Sequence, residues 1–230
     1  MAKEISEFII DNSNNVELIK SITCEKLEYP EKDSYFLRDV LSKEECQLVL
    51  NTLYIAPDAK SDTFNNKDHG LRLRRFSDQL SLKLKERIER FLPTTLTRPP
   101  VVQLSNDTNN NTPKTIDWKF DRISEEFKFI KYEKGQRFPA HTDGEYRISN
   151  TELSFLSVIF FLNDGGAVDF RGGDFRFLRK DAIEKYTPMK TITPKAGSVL
   201  IFPHYTWHDS TTIEDGIKYV IRSNLMFKHQ

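Results

Sequence analysis

His141-Thr142-Asp143 sets an imidazole and a carboxylate two residues apart. On a β-strand, residues i and i+2 point to the same face, so both groups can converge on one ion. A third ligand must come from elsewhere. Two imidazoles and one carboxylate on one face of an octahedron leave the opposite positions open, the arrangement suited to non-haem Fe(II). The pair alone is a weak signal: with 5 His and 34 acidic residues in 230, chance supplies about 0.7 His-x-(Asp/Glu). The bland reading of His141 is a histidine on a surface loop. Two candidate third ligands, His204 and His208, follow downstream, and Lys218 stands ten residues past His208. A dicarboxylate cosubstrate with its far end inside a barrel needs such a cation, because an unpaired buried carboxylate is costly.

The elements that must hold these groups lie mainly in the second half. Phe127 to Tyr132, Phe155 to Leu162, Val168 to Phe170, Phe175 to Leu178, Ser198 to Phe202 and Tyr219 to Phe227 are rich in aromatic and β-branched residues. Turn signals part them at Gly135, Asn163 to Gly166, Gly172-Gly173, Pro194 to Gly197 and Asp215-Gly216. Short strands so spaced predict a β-sandwich or barrel. Helices come earlier. A first strand is expected over Ser34 to Val40. Ser42-Lys43-Glu44-Glu45 then has the form of a capping box, opening a helix to about Tyr54 that buries Cys46, Leu48, Val49, Leu50 and Leu53. Leu80, Leu84, Ile88 and Phe91 recur at helical steps within Ser77 to Leu92, and Pro93 ends that run. Pro57 to Gly70, Leu104 to Pro113 and Gly144 to Thr151 read as loops. Residues 1–33 read as an N-terminal flank, and 34–230 as one domain.

Composition narrows the setting. The 34 basic and 34 acidic residues cancel, so no global attraction to nucleic acid or an anionic membrane is expected. The arginines of Leu71 to Arg75 are too few for a nucleic-acid footprint. Two cysteines, Cys24 and Cys46, make neither a disulfide scaffold nor a zinc motif. The polar start lacks the apolar core of a secretory signal, and Leu153 to Leu162 is about half a membrane span. The expected setting is cytoplasmic.

Tyr132, Gly135-Gln136, His141-Thr142-Asp143, Phe161-Leu162-Asn163, Gly172-Gly173-Asp174, Pro194-Lys195-Ala196-Gly197-Ser198 to Phe202, His208-Asp209-Ser210 and Gly216-Ile217-Lys218-Tyr219 follow one another in that order. With this series the segment from Tyr132 to Phe227 resembles the prolyl 4-hydroxylase-like Fe(II)/2-oxoglutarate-dependent dioxygenases. Leu41 to Cys46 is similar to the family's opening helix. The resemblance implies a mostly β fold with flanking helices, around a double-stranded β-helix (jelly-roll, cupin-like) core at about 126–228.

It also implies roles. His141, Asp143 and His208 match the metal ligands, and with them the catalytic centre. His204 is the alternative third ligand, disfavoured because Lys218 then misses the family spacing. Lys218 matches the cation on the distal carboxylate of 2-oxoglutarate, with Arg222 as an alternative partner on the same strand parity. Tyr132 matches a cosubstrate-lining tyrosine. The cofactors implied are Fe(II), 2-oxoglutarate and O2, with ascorbate as an accessory reductant. The expected activity is hydroxylation of an unactivated C–H, on a prolyl or other residue of a peptide or protein. A free amino acid or small metabolite is the alternative substrate, and a non-catalytic β-barrel binding module the alternative class. Two departures stand out: Phe175 replaces a threonine after the Gly-Gly-acid turn, and Ser223-Asn224 stands where some relatives carry tryptophan.

Overall fold

Strands whose residues are apolar on both sides must be covered on both sides. That requirement organises the computed structural model of the chain, which describes residues 15–30, 33–53, 63–66, 68–98 and 115–229. In chain order its elements are α1 (Asn15–Ser21), β1 (Thr23–Lys26), β2 (Tyr35–Arg38), α2 (Lys43–Leu53), β3 (Thr63–Asn66), β4 (Gly70–Phe76), α3 (Asp78–Ile88), β5 (Thr95–Arg98), β6 (Ile116–Ile123) and β7 (Glu126–Tyr132). Then come β8 (Phe138–His141), β9 (Arg147–Ser149), β10 (Glu152–Phe161), β11 (Phe170–Gly172), β12 (Phe175–Ala182), β13 (Lys185–Ile192), β14 (Val199–Pro203), β15 (His208–Ser210), β16 (Ile213–Gly216) and β17 (Lys218–Lys228). Among the described residues the main sheet runs β1-β2-β14-β10-β17-β7-β4-β3, the minor sheet β13-β12-β15-β8, and β11 pairs with β16. The chain is mostly β, in curled antiparallel sheets of jelly-roll type.

Each face of the main sheet has its own core. One carries Leu37, Phe127, Phe129, Val158, Phe160, Val199, Ile201 and Ile221, packed with Cys46 and Val49 of α2 and Leu80, Leu84 and Ile88 of α3. The other carries Phe36, Ile130, Tyr132, Phe161, Leu200, Phe202 and Val220, packed with Phe175, Phe177 and Ile192 of the minor sheet. A register shift at Ser154/Leu156 swaps the parity of β10 partway along, bringing Ser157 to the minor-sheet side.

The helical layer is tied down by polar groups. The capping box at α2 forms: the Ser42 N–H donates to Glu45 Oε2 at 2.9 Å, and the Glu45 N–H to Ser42 Oγ at 3.1 Å. Glu45 also meets Arg87 of α3 at 2.8 Å, with both side chains buried, and Arg87 Nη1 donates to the Val40 carbonyl at 2.9 Å. Gly197, at φ +77°, closes the turn before β14; a Cβ there would stand 2.0 Å from the Leu41 carbonyl oxygen.

Several expectations need correction. Leu48 is exposed, because it falls on the outer side of α2. The helix ends at Leu53 and Tyr54 lies outside the described residues. The helical run Ser77 to Leu92 is α3 followed by a 3-10 turn at Glu89–Phe91. The strand expected at Val168 to Phe170 begins only at Phe170, and Val168 is exposed. Leu71 to Arg75, read as a basic patch, is strand β4, paired with β7. Of the expected loops, Pro57 to Gly70 contains β3, with residues 57–62 and 67 outside the described residues; Leu104 to Pro113 lies wholly outside them; Gly144 to Thr151 contains β9. Within the stretch read as N-terminal flank, β1 adds a strand beside β2.

Candidate active site

The site lies between the two sheets, where β8 and β15 run side by side. His141 ends β8 and His208 opens β15, and the two are direct cross-strand partners. Their ring centroids are 4.1 Å apart. Asp143 lies two residues past the strand end, held by its own N–H, which donates to the His204 carbonyl at 2.8 Å. One atom from each of His141, Asp143 and His208 falls within 4.8 Å of the others. His141 Nε2 is 3.6 Å from Asp143 Oδ1, and His208 Nε2 is 3.9 Å from Oδ2.

This donor set fits a divalent transition metal. The carbonyls of Pro139 and Thr206 take the Nδ1–H of His141 and His208, at 2.9 and 2.8 Å. Such bonds fix the tautomer and leave each Nε2 lone pair facing its neighbours. Burial brings His208 down to about 4, so its ring is neutral at pH 7. Burial alone would raise the Asp143 carboxyl, but the neighbouring His141 ring, the Arg222 charge and the Ser157 hydroxyl hold it well below the usual range. Two imidazoles and an ionised carboxylate with positions left open suit Fe(II).

His204 is engaged elsewhere. Its Nδ1 lies 2.8 Å from Ser157 Oγ and its Nε2 2.8 Å from Ser154 Oγ. Ser157 donates its hydroxyl proton to Asp143 Oδ2, so His204 Nδ1–H must be the donor to Ser157. The other ring nitrogen then accepts from Ser154, whose oxygen takes the Tyr146 N–H at 2.7 Å. Burial, then the Arg222 charge, bring His204 down to about 3, which keeps it neutral. His204 thus braces the carboxylate from behind.

Tyr132, Lys218 and Arg222 line the same cavity as His141, Asp143 and His208, a space of about 370 Å³. Lys218 and Tyr132 are cross-strand partners at its inner end. Lys218 Nζ donates to the Gly173 carbonyl at 2.6 Å and to Ser210 Oγ at 2.9 Å. Gly173, at φ +69°, keeps that corner open: a Cβ would lie 2.4 Å from Ile213 Cδ1. Burial brings the ammonium down to about 7, although Asp174 and Asp209 partly oppose it. Burial raises the Tyr132 hydroxyl to about 12, so it stays protonated and can donate. Arg222, four residues along the same strand face and about 13 Å away, meets Asp143 Oδ2 at 3.2 Å instead. The two cations therefore serve opposite ends of the cavity.

Sequence reasoning missed Ser154, Ser157, Ser210, Lys128 and Arg72. The two serines of β10 left a trace as hydroxyls interrupting an otherwise apolar run, Ser210 as the small residue of the His208-Asp209-Ser210 motif, and Arg72 within a run of arginines, none of them with a role attached. Both departures from the family pattern take part: Phe175 stacks on the His208 ring at 5.2 Å, and Asn224 lines the cavity.

A sequence model of the 2OG-Fe(II) oxygenase superfamily matches residues 127–226. No curated protein matches the chain. Among solved structures, the viral collagen prolyl hydroxylase from Paramecium Bursaria Chlorella virus-1, in its 2OG complex, is 15% identical with TM-score 0.52, over 87% of this chain and 98% of that one. The non-heme alpha-ketoglutarate-dependent carbocyclase SnoK of nogalamycin biosynthesis is 11% identical with TM-score 0.53, over 96% and 85%. A prolyl 4-hydroxylase from Phytophthora capsici is 14% identical with TM-score 0.50, over 98% and 66%. At such identities the likeness is one of fold.

Proposed function

We propose that this chain is a 2-oxoglutarate-dependent oxygenase that hydroxylates an unactivated C–H of a prolyl or other residue in a peptide or protein, a reading supported by the match of residues 127–226 to the 2OG-Fe(II) oxygenase superfamily. His141, Asp143 and His208 hold the iron in this reading. The observation that carries it is the meeting of these three groups, from separate parts of the chain, in one cavity with a buried lysine.

When bound, Fe(II) with 2-oxoglutarate and O2 supplies the oxidising power that hydroxylates the C–H while the cosubstrate is decarboxylated to succinate. The protein's part is binding, orientation and exclusion of water. The carbonyls of Pro139 and Thr206 hold the two imidazoles in the ligating tautomer. Ser157 and Arg222 hold the carboxylate of Asp143 ionised and oriented. Lys218 pairs with the distal carboxylate of 2-oxoglutarate, and Tyr132 donates its hydroxyl proton into the same pocket. Ile130, Ile159, Phe161, Phe175 and Val220 wall the space between the ends, and such apolar walls strengthen each charge interaction by lowering the local dielectric. Ascorbate serves as reductant in this proposal.

The peptide substrate rests on the resemblance to prolyl hydroxylases and on the shared fold. A small metabolite is the second reading. The small cavity supports it, as does the carbocyclase, which has this fold and belongs to nogalamycin biosynthesis. Succinate release from prolyl peptides, measured against free amino acids, separates the two. Free thiols at Cys24 and Cys46 support a cytoplasmic setting. No described helix is long and apolar enough to cross a membrane.

A further inference from the structure

Beyond the cluster of His141, Asp143 and His208, the cavity floor is the face of β17, β7 and β4, and that face carries a row of cations. Arg222 pairs in register with Lys128, and Lys128 with Arg74. Neighbouring strands stand about 4.8 Å apart, so three cationic side chains leave the sheet side by side. Arg72 sits one step deeper, its guanidinium 4.8 Å over the Phe138 ring. Its Nε is buried without a hydrogen bond, and it has no ion pair among the described residues.

Three of these cations, Arg72, Lys128 and Arg222, line the cavity, while Arg74 stands exposed at its edge; the four face two carboxylates. Glu126 is shared between Arg74 and Lys128 at 3.5 Å each, and Asp143 meets Arg222 at 3.2 Å. Two further acids of the cavity wall are taken up: Glu145 by Arg147, and Asp209 by Arg176. The charge of Fe(II) and that of 2-oxoglutarate cancel one another, so loading the site leaves the excess in place. Burial, and then the Arg222 charge, hold the Lys128 ammonium below its ordinary value, as expected of a cation short of counter-charge.

We propose that the substrate carries an anionic carboxylate, held by Arg72 and Lys128 while its reacting C–H lies over the iron. This rests on the oxygenase reading above and names the substrate class for that same site. A free acid and an acidic side chain of a peptide offer the same group, and the test separates them.

The probes are matched pairs differing only in carboxylate or amide. One set comprises free L-amino acids with their amides; the other comprises end-blocked prolyl tetrapeptides with Glu or Gln beside the proline. Binding is measured by anaerobic calorimetry on protein loaded with Fe(II) and 2-oxoglutarate, so no turnover is needed. At least one acid should bind about tenfold or more tightly than its amide, the scale of one charge-assisted contact. Lys128→Gln and Arg72→Gln should each erase most of that preference, with amide affinity within about twofold of wild type. Lys128→Arg, which keeps the charge, should retain it. The set showing the preference identifies the source of the carboxylate. Equal binding of acid and amide in every pair, or a preference surviving both Gln variants with melting temperatures intact, overturns the proposal. Failure of the wild-type protein to bind Fe(II) or consume 2-oxoglutarate would instead sink the oxygenase reading.

Discussion

Replacing Lys218 by methionine isolates the cation assigned to 2-oxoglutarate. Methionine keeps the length of the stem and removes the charge. In the wild type that charge is fully enclosed, with the Gly173 carbonyl and the Ser210 hydroxyl as its hydrogen-bond partners among the described residues. Bringing a carboxylate to this position without a cation leaves it buried and unpaired, a loss of about 3–5 kcal/mol. Affinity for 2-oxoglutarate should therefore fall by about 10²- to 10³-fold or more. A pH signature accompanies it. The folded ammonium titrates near 7 rather than 10.5, so between those values the unfolded chain holds a proton that the folded one has released. Stability thus rises with pH across this window, by up to about 5 kcal/mol, and is lost again as pH falls towards 7. Lys218→Met should flatten this rise. Since the bound dicarboxylate needs the ammonium, binding in the wild type should take up a proton above pH 7, weakening by about tenfold per pH unit. Anaerobic calorimetry of 2-oxoglutarate binding from pH 6 to 9 reads the second effect, and urea unfolding of both proteins reads the first. If Lys218→Met binds 2-oxoglutarate within about threefold of wild type while Arg222→Met does not, the assignment of the two ends is wrong.

His208→Ala should abolish Fe(II) binding in equilibrium dialysis, whereas His204→Ala should keep most of it, because the His204 ring nitrogens are both occupied by serines; the reverse order would make His204 the ligand. Ser157→Ala removes the hydroxyl that joins His204 to Asp143, and should weaken iron by about 10- to 100-fold with little change in far-UV circular dichroism; unchanged affinity would refute the bracing role. Arg87→Met leaves Glu45 buried and uncompensated, and should cost about 3–5 kcal/mol in urea unfolding; restoring stability with a second change, Glu45→Leu, would show that the unpaired charge was the cause.

Much of the candidate site was legible because the chemistry proposed for it demands particular side chains at particular spacings. His141, Asp143, His208 and Lys218 stand out as residue types that metals and dicarboxylates need, and the run of β-rich segments with glycine turns pointed to a sandwich or barrel. The capping box at Ser42 was readable because its two hydrogen bonds are local. Strand β4 was not: its arginines read as a patch, since interleaved Leu71 and Leu73 are too short a pattern to outweigh three charges. Strand β13, mostly exposed, carries little hydrophobic signal at all.

Other features depended on which residues meet across the fold. The choice between His204 and His208 turns on two serines about fifty residues upstream of His204 in sequence, and a bulge in β10 brings Ser157 to the required face. Arg222 shares parity with Lys218, which suggested a shared task, yet a strand rises about 3.3 Å per residue and so carries the two to opposite ends of one cavity. The row of Arg222, Lys128 and Arg74 comes from three strands placed side by side by register. Spacing along a chain names the groups capable of chemistry, because side-chain type and period are local properties. Charge balance and hydrogen-bond partnership are sums over neighbours in space, and only the folded sheets determine those neighbours.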